Sequence, residues 1–222
     1  MASKLKRDQL PNEKAKNWRE SLIEEEKLTF NLKVPQIILQ KETYNTLAGE
    51  NENRVRVYLG LEPVEKNGTL ELCAFAVSAF LLGSGDVYVD YETPVFKLEK
   101  KNIDFSSNTE EVVESIRRYH SWRAGEIEPD VEGTEVRKYI YPNAYLLTKF
   151  ELHEIFNVQE KDEALIEFGI SKTMKAMISP ISIQVASLAA MTSEDGGGGD
   201  DEVYNDIGDC PPYCDDGSPY NA

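Results

Sequence analysis

Three cysteines and two histidines carry the broadest chemistry in this chain, and their spacing limits what they can do. Cys210-Pro211-Pro212-Tyr213-Cys214 has the look of a metal or redox pair, but three residues separate the thiols where such pairs usually have two. Two prolines favour polyproline II, which at about 3.1 Å per residue would hold the two Cα atoms about 12 Å apart. A disulfide needs less than about 7 Å and therefore a tight turn. Tetrahedral zinc needs four ligands, and beyond this pair the chain offers only Cys73, the histidines and carboxylates. Disulfide and zinc pair stay open, while free thiols are what the prolines favour. Cys73 lies in an apolar run and reads as a small buried hydrophobe.

His120 is expected on a helix beside Trp122, and His153 near the end of the next helix. Neither has the i, i+4 partner of a helical metal pair, and no Ser or Cys elbow accompanies them. Gly196 to Tyr204 satisfies the calcium β-roll nonapeptide, but a roll stacks several copies and this is one, so a flexible acidic linker is predicted. No phosphate loop and no nucleophile–base set is visible. The expectation is a chain that is not an enzyme and holds no cofactor and no resident metal.

The charge excludes more. With 222 residues, 41% of them hydrophobic, the chain can bury a core in one large domain or two small ones. Forty acids against 24 bases leave −16, which is wrong for a phosphate-backbone binder, so no nucleic acid is expected as partner. The best apolar run, Leu70 to Leu82, is too short to span a bilayer and carries Glu71. A basic start, Lys4 to Arg7, is followed by Asp8, Gln9, Pro11 and Asn12 where a signal peptide needs an apolar core. No membrane association and a cytoplasmic location are expected. Nine acids and no Lys or Arg fall between Ser193 and Ala222.

The elements that must position these residues recur. Each of the two tryptophans is followed by arginine, Trp18-Arg19 and Trp122-Arg123. Next comes an apolar stretch ending in Pro35 or Pro142, then helical leucine spacings (Ile38, Leu39, Tyr44 and Leu47 against Leu146, Leu147, Phe150 and Ile155). Alternating runs then lead to Gly60 and Gly169, second apolar strands are expected over Thr69 to Leu82 and Ile181 to Ala190, and Asp86–Asp90 is matched by Glu202–Asp206. Shared order and spacing predict an internal duplication. The fold class is α+β: two homologous halves, 1–104 and 105–192, each helix, strand, helix, strand, strand, followed by an acidic tail over 193–222. The repeat-defining core residues are Trp18, Pro35, Gly60, Trp122, Pro142 and Gly169, with the two tryptophans expected at equivalent buried positions. Helices are predicted over Asn12–Glu26, with Asn12 as N-cap, and Glu110–Arg123, capped by Asn108 or Thr109. Val55–Leu61 alternates as a half-buried strand with Arg54 and Arg56 outward, and Leu70–Leu82 reads as a central strand, with a buried helix as its alternative.

The end Asp209-Cys210-Pro211-Pro212-Tyr213-Cys214-Asp215-Asp216-Gly217-Ser218-Pro219-Tyr220-Asn221 resembles that of a group of short uncharacterised bacterial proteins closing on Cys-Pro-x-x-Cys-Asp-x-x-Ser-Pro-x-Asn. The group's Trp-bearing helix and its strand like Val55–Gly60 recur here in both halves, the cysteines only in the second. The resemblance implies no activity.

The expected function is a non-catalytic interaction or scaffold module, a fused pseudo-dimer with a protein partner. Its tail, through Cys210, Pro211, Pro212, Tyr213, Cys214 and Tyr220, would be a recognition segment. A metal- or redox-responsive protein using Cys210 and Cys214 is the alternative. On the recognition reading, removing 200–222 is expected to leave the thermal midpoint within a few degrees but to remove the main co-purifying partner or change the protein's location in the cell.

Overall fold

The computed structural model describes residues 6–28, 37–49, 53–63, 70–82, 87–98, 105–106, 108–124, 141–181, 202–205, 208–210 and 214–221. The elements run β1 (Gln9–Leu10), α1 (Asn12–Leu28), β2 (Ile37–Gln40), α2 (Lys41–Leu47), β3 (Arg54–Pro63), β4 (Leu70–Leu81), β5 (Tyr88–Leu98), β6 (Phe105–Ser106) and α3 (Thr109–Ala124). After these come β7 (Ala144–Leu147), α4 (Lys149–His153) with a π-helical turn at Glu154–Val158, β8 (Glu163–Ile170), β9 (Met174–Pro180), β10 (Val203–Tyr204), β11 (Gly208–Cys210) and a 3-10 turn at Pro219–Asn221. Among the described residues no helix is long and apolar enough to cross a membrane.

Two antiparallel sheets form, in the orders β1-β10-β9-β8-β2 and β11-β7-β3-β4-β5-β6. Alternation decides how they stack, because successive side chains of a strand point to opposite faces. Val55, Val57, Leu59 and Leu61 of β3 share one core with Ile37 and Leu39 of β2 and Ala164, Ile166 and Phe168 of β8. These faces meet, with Tyr44 and Leu47 of α2 and Leu152 of α4 in the same core, and α1 and α3 cover the outside. Ala15 and Trp18 of α1 pack with Leu10, Met177 and Val203 on the first sheet, and Val112 and Ile116 of α3 pack with Tyr58, Phe75, Val77 and Val95 on the second. The result is a helix–sheet–sheet–helix stack of α+β class.

Connectivity crosses between the sheets. β1 and β2, early in the chain, pair with β10 and β8, while β6 and β7 pair with β5 and β3. This crossing corrects the reading of Ile38, Leu39, Leu146 and Leu147 as helical. Each pair lies in a short strand preceding its helix, because β8 and β3 offer open edges that pair the backbone. The described apolar strand following β8 is Met174–Pro180; the strand expected over Ile181 to Ala190 falls on residues 182–190, which lie outside the described set, as does Pro35. The segment expected as a tail supplies β10 and β11, one strand to each sheet. Asn12 opens α1 as a helical residue, since the Ala15 amide already bonds the Pro11 carbonyl at 3.0 Å. Asn108 caps α3 by accepting the Glu110 amide at 3.0 Å.

Gly60 and Gly169 both sit on outward strand faces beneath a helix. A Cβ at Gly169 would lie 2.7 Å from Trp18 Cβ and 2.9 Å from its backbone carbonyl carbon; one at Gly60 would lie 3.2 Å from Ser115 Cβ. Trp18 therefore corresponds in place to Ser115. Trp122 lies two helical turns further on, in the last turn of α3, its ring 5.9 Å from Tyr119 and 5.3 Å from Tyr141. The expected equivalence of the tryptophans fails by that shift. Seven residues bring a helix back to nearly the same face, so Trp122 faces as Ser115 does but at a different level. Because backbone cannot yield as a side-chain tip can, Gly169→Ala is expected to cost about 2–3 kcal/mol, read as a lowered urea midpoint at unchanged m-value.

Candidate functional site

Sheet two carries a buried polar knot on its outer face. Arg56 and Asp90 have fully buried side chains, 0% exposed each, and Arg56 Nη1 donates to Asp90 Oδ1. Nη2 donates to the Tyr88 carbonyl at 3.0 Å, and the Tyr58 hydroxyl donates to Asp90 Oδ2 at 2.6 Å. The outward direction predicted for Arg56 is right, but the exposure is not, since α3 and the C-terminal segment cover that face. Nε of Arg56 has no hydrogen-bond partner among the described residues. Burial, and after it the Asp90 charge, pushes the Tyr58 hydroxyl up, so Tyr58 acts as a donor and not as a base. Burial also pushes the Asp90 carboxyl up, opposed by the Arg56 charge and by hydrogen bonds from Tyr58 and Ser218.

The C-terminal segment closes over this knot. Cys210 and Cys214 are joined by a disulfide with Cα atoms 4.8 Å apart, so they are neither free thiols nor zinc ligands in this state. The extended spacing expected from the prolines is corrected by β11, whose pairing with β7 anchors Cys210 where Cys214 can meet it. Pro211, Pro212 and Tyr213 lie outside the described residues. Beyond the bond, Asp215 Oδ2 accepts the Asp90 amide at 2.9 Å, and Ser218 Oγ lies 3.4 Å from the Tyr58 hydroxyl. Tyr220 is fully buried, its ring 5.6 Å from that of Tyr58, and its hydroxyl donates to the Glu92 carbonyl. β6 pairs with β5 only at Phe96 and Lys97, so three polar backbone groups of β5 (Tyr88 C=O, Asp90 N–H and Glu92 C=O) are satisfied by side chains, two of them from this segment. Covering an edge in this way blocks unwanted strand pairing.

Other candidates stay apart. His153 Nδ1 lies 2.8 Å from Asn157, on an exposed helix face, while His120 sits on α3. Among the described residues no group of three metal-ligating side chains forms. Burial drives the Cys73 thiol up, which removes it as a nucleophile. Pro142 precedes β7, where its carbonyl accepts the Tyr119 hydroxyl at 2.8 Å. Glu62, Glu110, Glu111 and Glu114 line a shallow groove at the entry to α3, with Arg118 paired to Glu114.

The feature the sequence reading missed is apolar. Phe80 pairs with Val89, and the Leu82 amide donates to the Val87 carbonyl at 2.8 Å, so Phe80, Leu82, Val87 and Val89 share one face of the β4–β5 hairpin. Tyr91 joins them, its ring 4.6 Å from that of Phe80. This is the face that packs against the other sheet lower down, but here Leu82 is 56%, Val87 55% and Tyr91 47% exposed. The alternation of Val87, Val89 and Tyr91 was the available signal. Neither a protein-family model, nor a curated protein, nor a solved structure matches this chain.

Proposed function

We propose that this chain is a non-catalytic interaction module built by duplication as a fused pseudo-dimer, docking a protein partner on the exposed face of the β4–β5 hairpin. The duplication reading draws on the repeated order strand, helix, strand, helix and three strands (β1 to β5, then β6 to β10). It also draws on Gly60 and Gly169 in matching places, and on each half lending its first strand, first helix and second strand to the other's sheet. The single observation that carries the docking reading is the cluster of large apolar side chains left in water. On a chain of net charge −16, the partner that fits presents an apolar centre rimmed by Lys and Arg. The tail acts in cis on this reading, because Cys210, Cys214 and Tyr220 are engaged within the molecule.

The test compares affinity captures. Leu82→Asp with Val87→Asp is expected to lose the partner that the unaltered chain retains, and raised salt should weaken its capture. Ile23→Asp, an exposed apolar position on α1, should keep it. A partner held equally by all three proteins, with folds verified by circular dichroism, would sink the proposal.

A further inference from the structure

We propose that the Cys210–Cys214 disulfide is a latch opened by dithiols, which controls whether residues 214–221 stay on the edge of β5. The docking reading above is not required for it. The bond joins two very different places. Cys210 is buried in β11, held by pairing to β7, while Cys214 is only partly buried at the start of the docked segment. Everything that segment contributes comes after the bond: Asp215 on the Asp90 amide, Ser218 beside Tyr58, and Tyr220 in its seat against Tyr58, Val112 and Ile116. The disulfide therefore sets where the docked segment starts, and the contacts beyond it are a set of separate, local ones.

Accessibility decides the chemistry. A thiolate of a small dithiol attacks the more exposed sulfur, Cys214 Sγ; the S–S bond breaks, and Cys210 leaves as thiolate and takes up a proton. The second thiol of the reagent then displaces Cys214 as a thiol, leaving the reagent as its own disulfide. Two electrons and two protons pass from the dithiol to the protein. Cys73 takes no part, because it lies buried at Gly60 with its thiol pushed up by desolvation. The bond closes a loop with a sequence separation of 4. For so short a loop the chain-entropy relation gives a shift on the order of 30-fold in the opening equilibrium of the docked segment. Opening uncovers Tyr58 and the Arg56–Asp90 pair and leaves the Asp90 amide and the Glu92 carbonyl without their side-chain partners.

Hydrogen exchange read by mass spectrometry tests this on the full chain, after treatment with oxidised glutathione and then with dithiothreitol. On reduction, exchange should rise by about 30-fold at Asp90, Gly217, Ser218 and Asn221, whose amides are bonded in or by the docked segment. The β8–β9 amides should not change. A thiol titration under native conditions should count two reactive thiols in the reduced form and none in the oxidised one. Cys210→Ser with Cys214→Ser should show the reduced pattern without any reductant. Equal exchange in both redox states overturns the latch. So does a uniform rise across both sheets, which would mark the bond as a general brace.

Discussion

Replacing Arg56 by Met is expected to cost about 3–5 kcal/mol. The substitution leaves the Asp90 carboxylate with 0% exposure, hydrogen-bonded by Tyr58 and Ser218 and facing the like charge of Asp215. Stranding one member of a buried pair costs far more than the pair itself contributes, because the remaining charge keeps its desolvation penalty. Two comparisons isolate the cause. Arg56→Met combined with Asp90→Leu should recover most of the loss, since neither charge is then buried. Arg54→Met, two residues away and resting over the Tyr88 ring at 4.3 Å, should cost less than about 1 kcal/mol. The pH response has a definite sign. Without Arg56 the Asp90 pKa rises further above its unfolded value near about 4, so the native state holds a proton that the unfolded chain releases. Stability of Arg56→Met should therefore fall as pH rises from about 4 towards neutral, relative to the unaltered protein. Urea midpoints across that range check it; a pH-independent difference would show that lost packing, and not the stranded carboxylate, is responsible.

Tyr220→Ala is the second large effect, about 3–5 kcal/mol. The ring is fully buried among Tyr58, Val95, Val112 and Ile116, and its loss opens a cavity above the Arg56–Asp90 pair. For a chain of this length that corresponds to a thermal midpoint lower by roughly 10 °C. Tyr220→Phe keeps the ring and removes only the hydroxyl that donates to Glu92, so it should cost about 1 kcal/mol. The same contacts overturn the expectation that removing 200–222 leaves the midpoint nearly unchanged. That deletion takes away β10, β11, the disulfide and the Tyr220 seat together. It should unfold the protein or lower its midpoint by well over 10 °C, as calorimetry would show. A midpoint within a few degrees of the full chain would mean that the segment is not part of the folded unit.

Local signals were legible where one short stretch of chain decides the outcome. The continuous apolar run at Leu70–Leu82 announced a strand covered on both faces, and β4 occupies 70–81 between β3 and β5. Asn108 followed by acids announced the start of α3, because the cap bond spans only two residues. The recurrence of Gly60 and Gly169 was legible, and both lie beneath a helix, where a Cβ would stand 3.2 Å from Ser115 Cβ and 2.7 Å from Trp18 Cβ. What required the tertiary structure involves partners far apart in sequence. Ile37–Gln40 carries enough apolar spacing for helix or strand, and the open edge of β8 chose strand. Arg56 reads as a solvent-facing residue until α3 and the end of the chain close over it and Asp90, 34 positions away, supplies the opposite charge. The cysteines stand close only because β11 pairs with β7 and turns the chain back. Periodicity states which face a side chain takes; whether that face meets water is set by what folds onto it, and no local pattern carries that information.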